Sequence, residues 1–257
     1  MRVNDAYADG DEPNSFARLC DTQHERLTQF REDYPDLDVV LSAALNVGHL
    51  IVGSISLIRG LTVTETHRWM MWQTLLGYQQ QSLLLIVSGN TDAGLALIRL
   101  AMELGRDVAV IQDHDERLEL WLKRRDPARR GEYRRLFRFD DGTAAGAMAR
   151  KAYDLCSEFG VHGHVSDAMH FEVVGGFAPP GRDEFAMLRI SDAGVLSALQ
   201  IWLTAFAWPH ILCLETFGEK HGQELAEPSR LFMQMVDAIG PILTAIAVRL
   251  KELAASK

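Results

Sequence analysis

Apolar residues recur at intervals of three and four along nearly the whole chain, the spacing that places them on one face of an α-helix. The pattern predicts helices at 14–34, 38–59, 62–88, 91–112, 116–125, 127–138 and 143–159, with further helices beginning at 191 and 228. Thr62 precedes Glu65 by three residues, the spacing of a capping box, and Gly89 can end that helix in the left-handed conformation. Gly240-Pro241 should kink or break the last helix. Several of the predicted helices are apolar on most sides, so they must lie inside a bundle or in a subunit interface. We therefore expect an all-α multi-helix bundle that forms a homodimer.

One region, residues 169–190, departs from the helical period. Two segments, 170–174 and 184–190, alternate loosely between apolar and polar residues, and the turn-forming run Gly175–Gly181 lies between them. Alternation is the period of a β-strand, and glycine with proline favours a turn. We expect a small β-hairpin inserted in the bundle.

Length and composition indicate one domain. The chain has 257 residues, and we assign 14–257 to a single helical domain and the acidic segment 1–13 to a disordered tail that is neither signal peptide nor anchor. A net charge of -9 argues against general affinity for nucleic acid or anionic lipid. The three cysteines are far apart, which is typical of reduced thiols in a cytoplasmic protein.

The run from Ala193 to Leu214 has no charged residue, and its 22 residues are enough to cross a bilayer. Against a membrane span, it contains Gln200 and His210, is interrupted by Pro209, and lacks flanking basic clusters. We therefore predict a buried core helix and no membrane association.

A charged stripe crosses the otherwise apolar fourth helix. Arg99, Glu103 and Arg106 lie at i, i+4 and i+7, which places them on one side. One interpretation is a cleft in which the two guanidinium groups hold an anion and Glu103 orients them. The other, favoured by the frequency of such patterns, is a solvated face with an Arg99–Glu103 ion pair.

Histidines and carboxylates gather later in the chain, at Glu158, His162, His164 and His170. Imidazole and carboxylate together bind zinc, iron or manganese. No HExxH or other established metal motif is present. A divalent transition metal serving a hydrolase is therefore an alternative hypothesis, and a structural role for these histidines is favoured over it.

Basic residues concentrate between Asp115 and Phe139, where nine Arg or Lys stand against five Asp or Glu. Arginine interleaved with aromatic residues can bind phosphates and bases. The acids among them favour a solvated face with internal ion pairs over a nucleic-acid site. The candidate nucleic-acid residues are Lys123, Arg124, Arg125, Arg129, Arg130, Arg134 and Arg135.

Two short motifs carry a resemblance to a family. The segment Gly94–Glu103 contains Arg-x-x-x-Glu on an apolar helix, and Tyr153–Glu158 precedes His162-Gly163. In these the chain resembles a loose group of prokaryotic helical proteins similar to HEPN domains, the higher-eukaryote and prokaryote nucleotide-binding group. For active HEPN ribonucleases the resemblance implies Arg-x4–6-His near a dimer interface. Here that spacing occurs only from Arg18 to His24, outside the similar region, so ribonuclease activity is not predicted.

The leading functional hypothesis is therefore a helical protein that binds a small anionic ligand in a polar cleft. Its residues would be Arg99, Glu103 and Arg106, together with Tyr153 and His162 from the resemblance. A metal-dependent hydrolase and a HEPN-like RNA-binding or toxin–antitoxin-type module remain the alternatives. The sequence assigns no catalytic residue.

Overall fold

The computed structural model describes residues 16–139, 142, 144–160, 171–174, 187–190 and 192–255. Within these residues the fold is all-α apart from two short strands, as the periodicity predicts. The elements in chain order are α1 (Phe16–Asp33), α2 (Pro35–Ser56), α3 (Val63–Val87), α4 (Thr91–Ile111), α5 (Asp115–Leu122), α6 (Pro127–Leu136), α7 (Ala144–Gly160), β1 (Phe171–Val174), β2 (Met187–Ile190) and α8 (Asp192–Ala255).

Local signals set the ends of α3. The Thr62 side chain accepts from the Glu65 backbone N–H, and the Glu65 carboxylate accepts from the Thr62 N–H at 2.7 Å, which confirms the predicted capping box. At the other end Gly89 has φ +92°, a conformation that glycine adopts without steric cost. The chain then enters α4 with Asn90 at the N-cap, so α3 and α4 form a tight helical hairpin.

The long helix α8 folds back on itself at His221, whose φ of -119° and ψ of 29° are not helical. His210 and Phe232 would be about 33 Å apart in a straight helix, yet their ring centroids are 5.8 Å apart. The two limbs, 192–220 and 222–255, are therefore antiparallel.

The predicted helix start at Pro228 is wrong, because the chain turns at His221 instead. His221 contacts the Glu65 carboxylate at 3.1 Å, and Lys220 binds Asp113 at 2.7 Å, so contacts distant in sequence fix the turn. The predicted break at Gly240-Pro241 is not seen either, because the backbone dihedral angles there are helical. Both residues are exposed, so water can satisfy the carbonyl that a proline leaves unpaired.

The core lies between α2, α3, α4, α7 and both limbs of α8. Its fully buried members include Trp72, Ile98, Trp202 and Phe206. Helices α4 and α8 approach so closely that a Cβ on Gly105 would lie 2.3 Å from the Pro209 Cβ. Most of α4 is accordingly buried or half-buried, and Leu100, at 41%, is its one exposed residue.

A neutral polar network crosses the middle of the core. The Trp72 indole N–H donates to His210 Nδ1 at 2.9 Å, so His210 Nε2 carries the proton and donates to Gln79 at 2.7 Å. The Trp202 indole N–H donates to Ser82 at 2.9 Å. Burial lowers the pKa of His210 to about 3, which keeps the ring uncharged.

Strands β1 and β2 pair antiparallel, with Phe171 opposite Ile190 and Val174 opposite Met187. Both lie in the range for which the sequence predicts a hairpin. Residues 175–186, which hold the predicted turn, are outside the described residues, so the turn remains a prediction.

Among the described residues, two helices are apolar and long enough to cross a membrane by length and composition alone. They lie in Pro35–Ser56 and Ala193–Ala255, with mean hydropathies of 1.7 and 1.8. All residues from 193 to 214 are buried or half-buried within the fold. The predicted core helix is therefore buried as expected, and the more exposed apolar surface lies on α2 and the second limb of α8.

Candidate functional site

Three of the predicted ligand-binding residues meet on the side of α4 that faces α7. Arg99 Nε donates to Glu103 Oε1 and to the Tyr153 hydroxyl, both at 3.2 Å, and that hydroxyl donates to Glu103 Oε1 at 2.9 Å. The Arg99 and Glu103 side chains are 27% and 30% exposed. The Arg99 cluster, as we call these three residues, is therefore half-buried and closed on itself.

Arg106, the third residue of the predicted stripe, joins a different cluster. Its guanidinium donates to Asp107 Oδ1 from Nε at 2.9 Å and from a terminal nitrogen at 2.6 Å. Asp107 Oδ2 also accepts from the Trp121 indole N–H at 2.9 Å and from the Tyr133 hydroxyl at 2.8 Å. This Asp107 cluster (Arg106, Asp107, Trp121 and Tyr133) ties α4 to α5 and α6.

The Asp107 carboxylate is only 5% exposed, so its charge depends on these donors. Burial raises the pKa of Asp107, while Arg106, Tyr133 and Trp121 act in the opposite direction. Burial and the neighbouring Asp107 also raise the pKa of Tyr133, which keeps its hydroxyl a donor. The cluster is a fixed, fully paired anchor.

A cleft of about 530 Å³ opens beside both clusters, within the size range of small-molecule sites. We call it the Asp107 cleft. It is bounded by α3, α4, α5 and α6, and its lining combines apolar, aromatic and charged side chains. They are His67, Met70, Met71, Thr74, Tyr78, Leu100, Glu103, Leu104, Asp107, Trp121, Arg124, Arg125 and Tyr133.

The charge of the cleft wall is positive once the ion pairs are counted. Glu103 is paired with Arg99 and Asp107 with Arg106, so neither carboxylate leaves a net charge. Arg124 lies 3.7 Å above the Trp121 ring centre and donates to the Trp121 carbonyl. Arg125 is exposed and makes no hydrogen bond or ion pair with any described residue. The cleft thus has two cations over an aromatic surface.

The predicted metal residues cannot be placed. His162, His164, His170 and the Glu158 side chain lie outside the described residues, as does the predicted meeting of His162 with Arg99. In the described part of the chain, no group of three or more His, Cys, Asp or Glu could hold a metal ion. The metal hypothesis therefore remains a sequence prediction.

The basic stretch forms α5, α6 and the loop that joins them. Lys123 pairs with Glu119 at 2.5 Å and Arg129 with Glu132 at 3.3 Å, the internal ion pairs that a solvated face predicts. Arg130, Arg134 and Arg135 are exposed. Of the basic residues that the structure describes in this stretch, only Arg124 and Arg125 line the Asp107 cleft.

A further charged cluster holds the turn of α8. Arg68 is 1% exposed and donates to Asp113 and Thr216, and its Nε has no partner among the described residues. Burial acts to raise the pKa of Glu65, but hydrogen bonds from Thr62 and His221 and the charge of Lys220 lower it to about 2. These contacts join α3 to α8, which is a structural role.

Cys156 and Cys213, the two cysteines whose side chains the structure describes, are not suited to act as nucleophiles. Burial raises the pKa of the Cys156 thiol to about 12 and raises that of Cys213 as well, so both are protonated at neutral pH.

The sequence analysis missed Asp107, Trp121 and Tyr133. One signal was available, because Asp107 lies four residues after Glu103 and extends the charged stripe. A carboxylate on the apolar side of a helix needs a hydrogen-bond donor that is buried with it. Nothing local identified Trp121 and Tyr133 as those donors.

In comparisons with known proteins, the chain matches no family model, no curated protein and no solved structure. The HEPN resemblance therefore remains a prediction.

Proposed function

We propose that the chain binds a small anionic molecule with an apolar or aromatic part in the Asp107 cleft. The observation that carries this proposal is the pair Arg124 and Arg125, which line a cleft whose two carboxylates already have arginine partners. An entering anion therefore meets two cations that no carboxylate of the cleft neutralises. Charge-assisted hydrogen bonds to such cations contribute about 1.5–3 kcal/mol each.

The apolar part of the ligand would contact the opposite wall. Met70 and Leu100 are 53% and 41% exposed there, and Tyr78 adds an aromatic face. Ligand sites commonly combine such a surface with a few convergent polar groups. The surface area of these side chains supplies affinity, and the arginines supply the preference for an anion.

The two clusters on α4 would act as support for this site. Asp107 fixes the positions of Trp121 and Tyr133, and the Trp121 ring in turn carries Arg124. Arg99 and Tyr153 hold Glu103, whose carboxylate can accept a hydrogen bond from a ligand hydroxyl or amine. This differs from the sequence hypothesis, in which Arg99 and Arg106 hold the anion themselves.

The proposal can be tested with two matched probes, 1-naphthalenesulfonate and the uncharged naphthalene-1-methanol, by isothermal titration calorimetry. We expect the sulfonate to bind more tightly, and Arg124→Gln with Arg125→Gln to weaken it about tenfold or more. The double variant should leave the alcohol unaffected, and added salt should weaken the sulfonate alone.

The matched control is Arg130→Gln with Arg134→Gln, two exposed arginines of α6 that do not line the cleft. The proposal is wrong if both double variants weaken the sulfonate equally, or if the wild-type protein binds neither probe.

The remaining expectations are also proposals. We propose a cytoplasmic location. Cys156 and Cys213 are buried free thiols, which fits a reducing compartment. The metal-dependent hydrolase and the HEPN-like RNA-binding module have no observation among the described residues that favours them over ligand binding.

A further inference from the structure

Helix α2 presents an apolar stripe that its own chain does not cover. Val39, Leu50 and Leu57 are 66%, 42% and 81% exposed. With three smaller exposed residues they follow the alternating four-and-three spacing of a helix–helix seam. The stripe consists of Val39, Ala43, Asn46, Leu50, Gly53 and Leu57.

The opposite side of α2 is committed to the fold. Ala44, Ile51 and Ile55 are fully buried in the core, so the helix cannot leave the bundle without exposing them. A Cβ on Gly53 would meet nothing within 4 Å, so the stripe is open at its narrowest point. Any occupant must therefore pack on it from outside.

Charged residues lie only at the two ends of this stripe. Asp36 and Asp38 lie at the start of α2, Arg59 lies just beyond its end, and 39–58 contains no Asp, Glu, Lys or Arg. Asp38 already pairs with Arg31 of its own chain at 3.5 Å, so Asp36 is the acid that the partner's Arg59 would face in a second copy running antiparallel. A parallel copy would instead place like charges side by side. The charge pattern is thus self-complementary only in the antiparallel orientation.

We propose that this stripe is the centre of a two-fold symmetric homodimer in which α2 packs antiparallel to the partner's α2. A two-fold axis near Gly48 places Val39 against the partner's Leu57 and Ala43 against the partner's Gly53. The small residues Ala43 and Gly53 let the two helices approach closely, and Asn46 lies opposite the partner's Leu50 near the axis. The inference is independent of the proposed ligand binding.

The available surface meets the lower limit for such a dimer. The stripe is about 27 Å long at 1.5 Å per residue, and one helix of about 10 Å width supplies only about 270 Å². The second limb of α8 lies alongside, since Leu37 and Ile246 line one groove, and it exposes Met233 and Val248 by 51% and 52%. A dimer that reaches the size of specific interfaces must therefore also use this limb, because two helices from each copy bury about 1,100 Å² in total.

A lipid surface fits the stripe less well. Helices that lie on membranes carry Lys and Arg along the polar edge, whereas α2 has two Asp and no basic residue. Asn46 also lies within the stripe, where acyl chains would offer its amide no hydrogen-bond partner.

Sedimentation velocity of the full chain between 1 and 100 µM tests the proposal. We expect a dimer whose dissociation constant rises at least about a hundredfold in Leu50→Glu with Leu57→Glu. The control is Leu122→Glu with Leu136→Glu, which changes leucines that are 52% and 39% exposed elsewhere and should leave the dimer intact. Circular dichroism checks that each variant remains helical.

Cysteine cross-linking tests the orientation. A mixture of the single variants Val39→Cys and Leu57→Cys should form a disulfide-linked dimer, whereas neither variant alone should exceed the wild type. Equal linking of each variant with itself would indicate a parallel pair and overturn the proposed geometry.

Two other results would overturn the proposal. One is a wild-type monomer at 100 µM, or a dimer that the α2 glutamates do not weaken. The other is a monomer that floats with phosphatidylcholine–phosphatidylglycerol vesicles and loses this binding in Leu50→Glu with Leu57→Glu, which would identify lipid as the occupant.

Discussion

Two clusters on α4 use the same chemistry in different surroundings. Arg99–Glu103–Tyr153 and Arg106–Asp107–Tyr133 each combine an arginine, a carboxylate and a tyrosine hydroxyl. The first carboxylate is 30% exposed and the second is 5% exposed. Burial therefore sets the cost of losing a partner: water can replace it at the 30% exposed carboxylate far more readily than at the 5% exposed one.

The largest expected difference comes from removing each acid. Asp107→Ala leaves the Arg106 charge, the Trp121 N–H and the Tyr133 hydroxyl without their shared acceptor. We expect a loss of about 3–5 kcal/mol in the free energy of unfolding, measured by urea denaturation. Glu103→Ala, the matched change in the Arg99 cluster, should cost under about 1 kcal/mol. Equal losses in the two variants would contradict the comparison.

The His210 network gives a third case for this comparison, because it is polar and buried but uncharged. The folded-state pKa of His210 is lowered from 6.5 to about 3, so between these values the unfolded chain binds a proton that the folded protein does not. Stability is therefore complete above pH 6.5 and falls as the pH decreases. From pH 6.5 to 5 we expect a loss of about 2 kcal/mol.

This pH range separates His210 from Glu65, whose lowered pKa affects stability only as the pH falls from 4.5 towards 2. The loss between pH 6.5 and 5 should disappear in His210→Gln and persist in His49→Gln, which changes an exposed histidine. Urea unfolding at four pH values measures it. A slope that survives in His210→Gln would show that another group causes it.

What the sequence could predict was local. The Thr62–Glu65 capping box and the left-handed Gly89 depend on residues a few positions apart, and both were predicted. The turn of α8 depends instead on Lys220 reaching Asp113 and on His221 reaching Glu65. The sequence around Pro228 carries the stronger local break signal, so the prediction placed the turn there.

The residues of the candidate site likewise fall into contacts within one helix, which the sequence predicts, and contacts between helices, which it does not. Arg99 and Glu103 pair at i, i+4 within one helix, which spacing alone predicts, and the family resemblance brought in Tyr153. Trp121 and Tyr133 reach Asp107 from two short helices that are 14 and 26 residues further along the chain. Their position relative to α4 is set by packing, which no local pattern encodes.

The smallest expected effect comes from removing one tyrosine hydroxyl group from each of the two clusters. Tyr133→Phe removes one of the donors to the Asp107 carboxylate, which is only 5% exposed, and we expect a loss of about 1–2 kcal/mol. Tyr153→Phe removes the equivalent donor from the half-exposed Glu103, where water can take its place, so the loss should be about 0.5 kcal/mol or less. Urea unfolding of both single variants and of the double variants Tyr133→Phe with Asp107→Ala and Tyr153→Phe with Glu103→Ala gives the coupling energies. Similar coupling of each tyrosine to its carboxylate would mean that burial does not distinguish the two clusters.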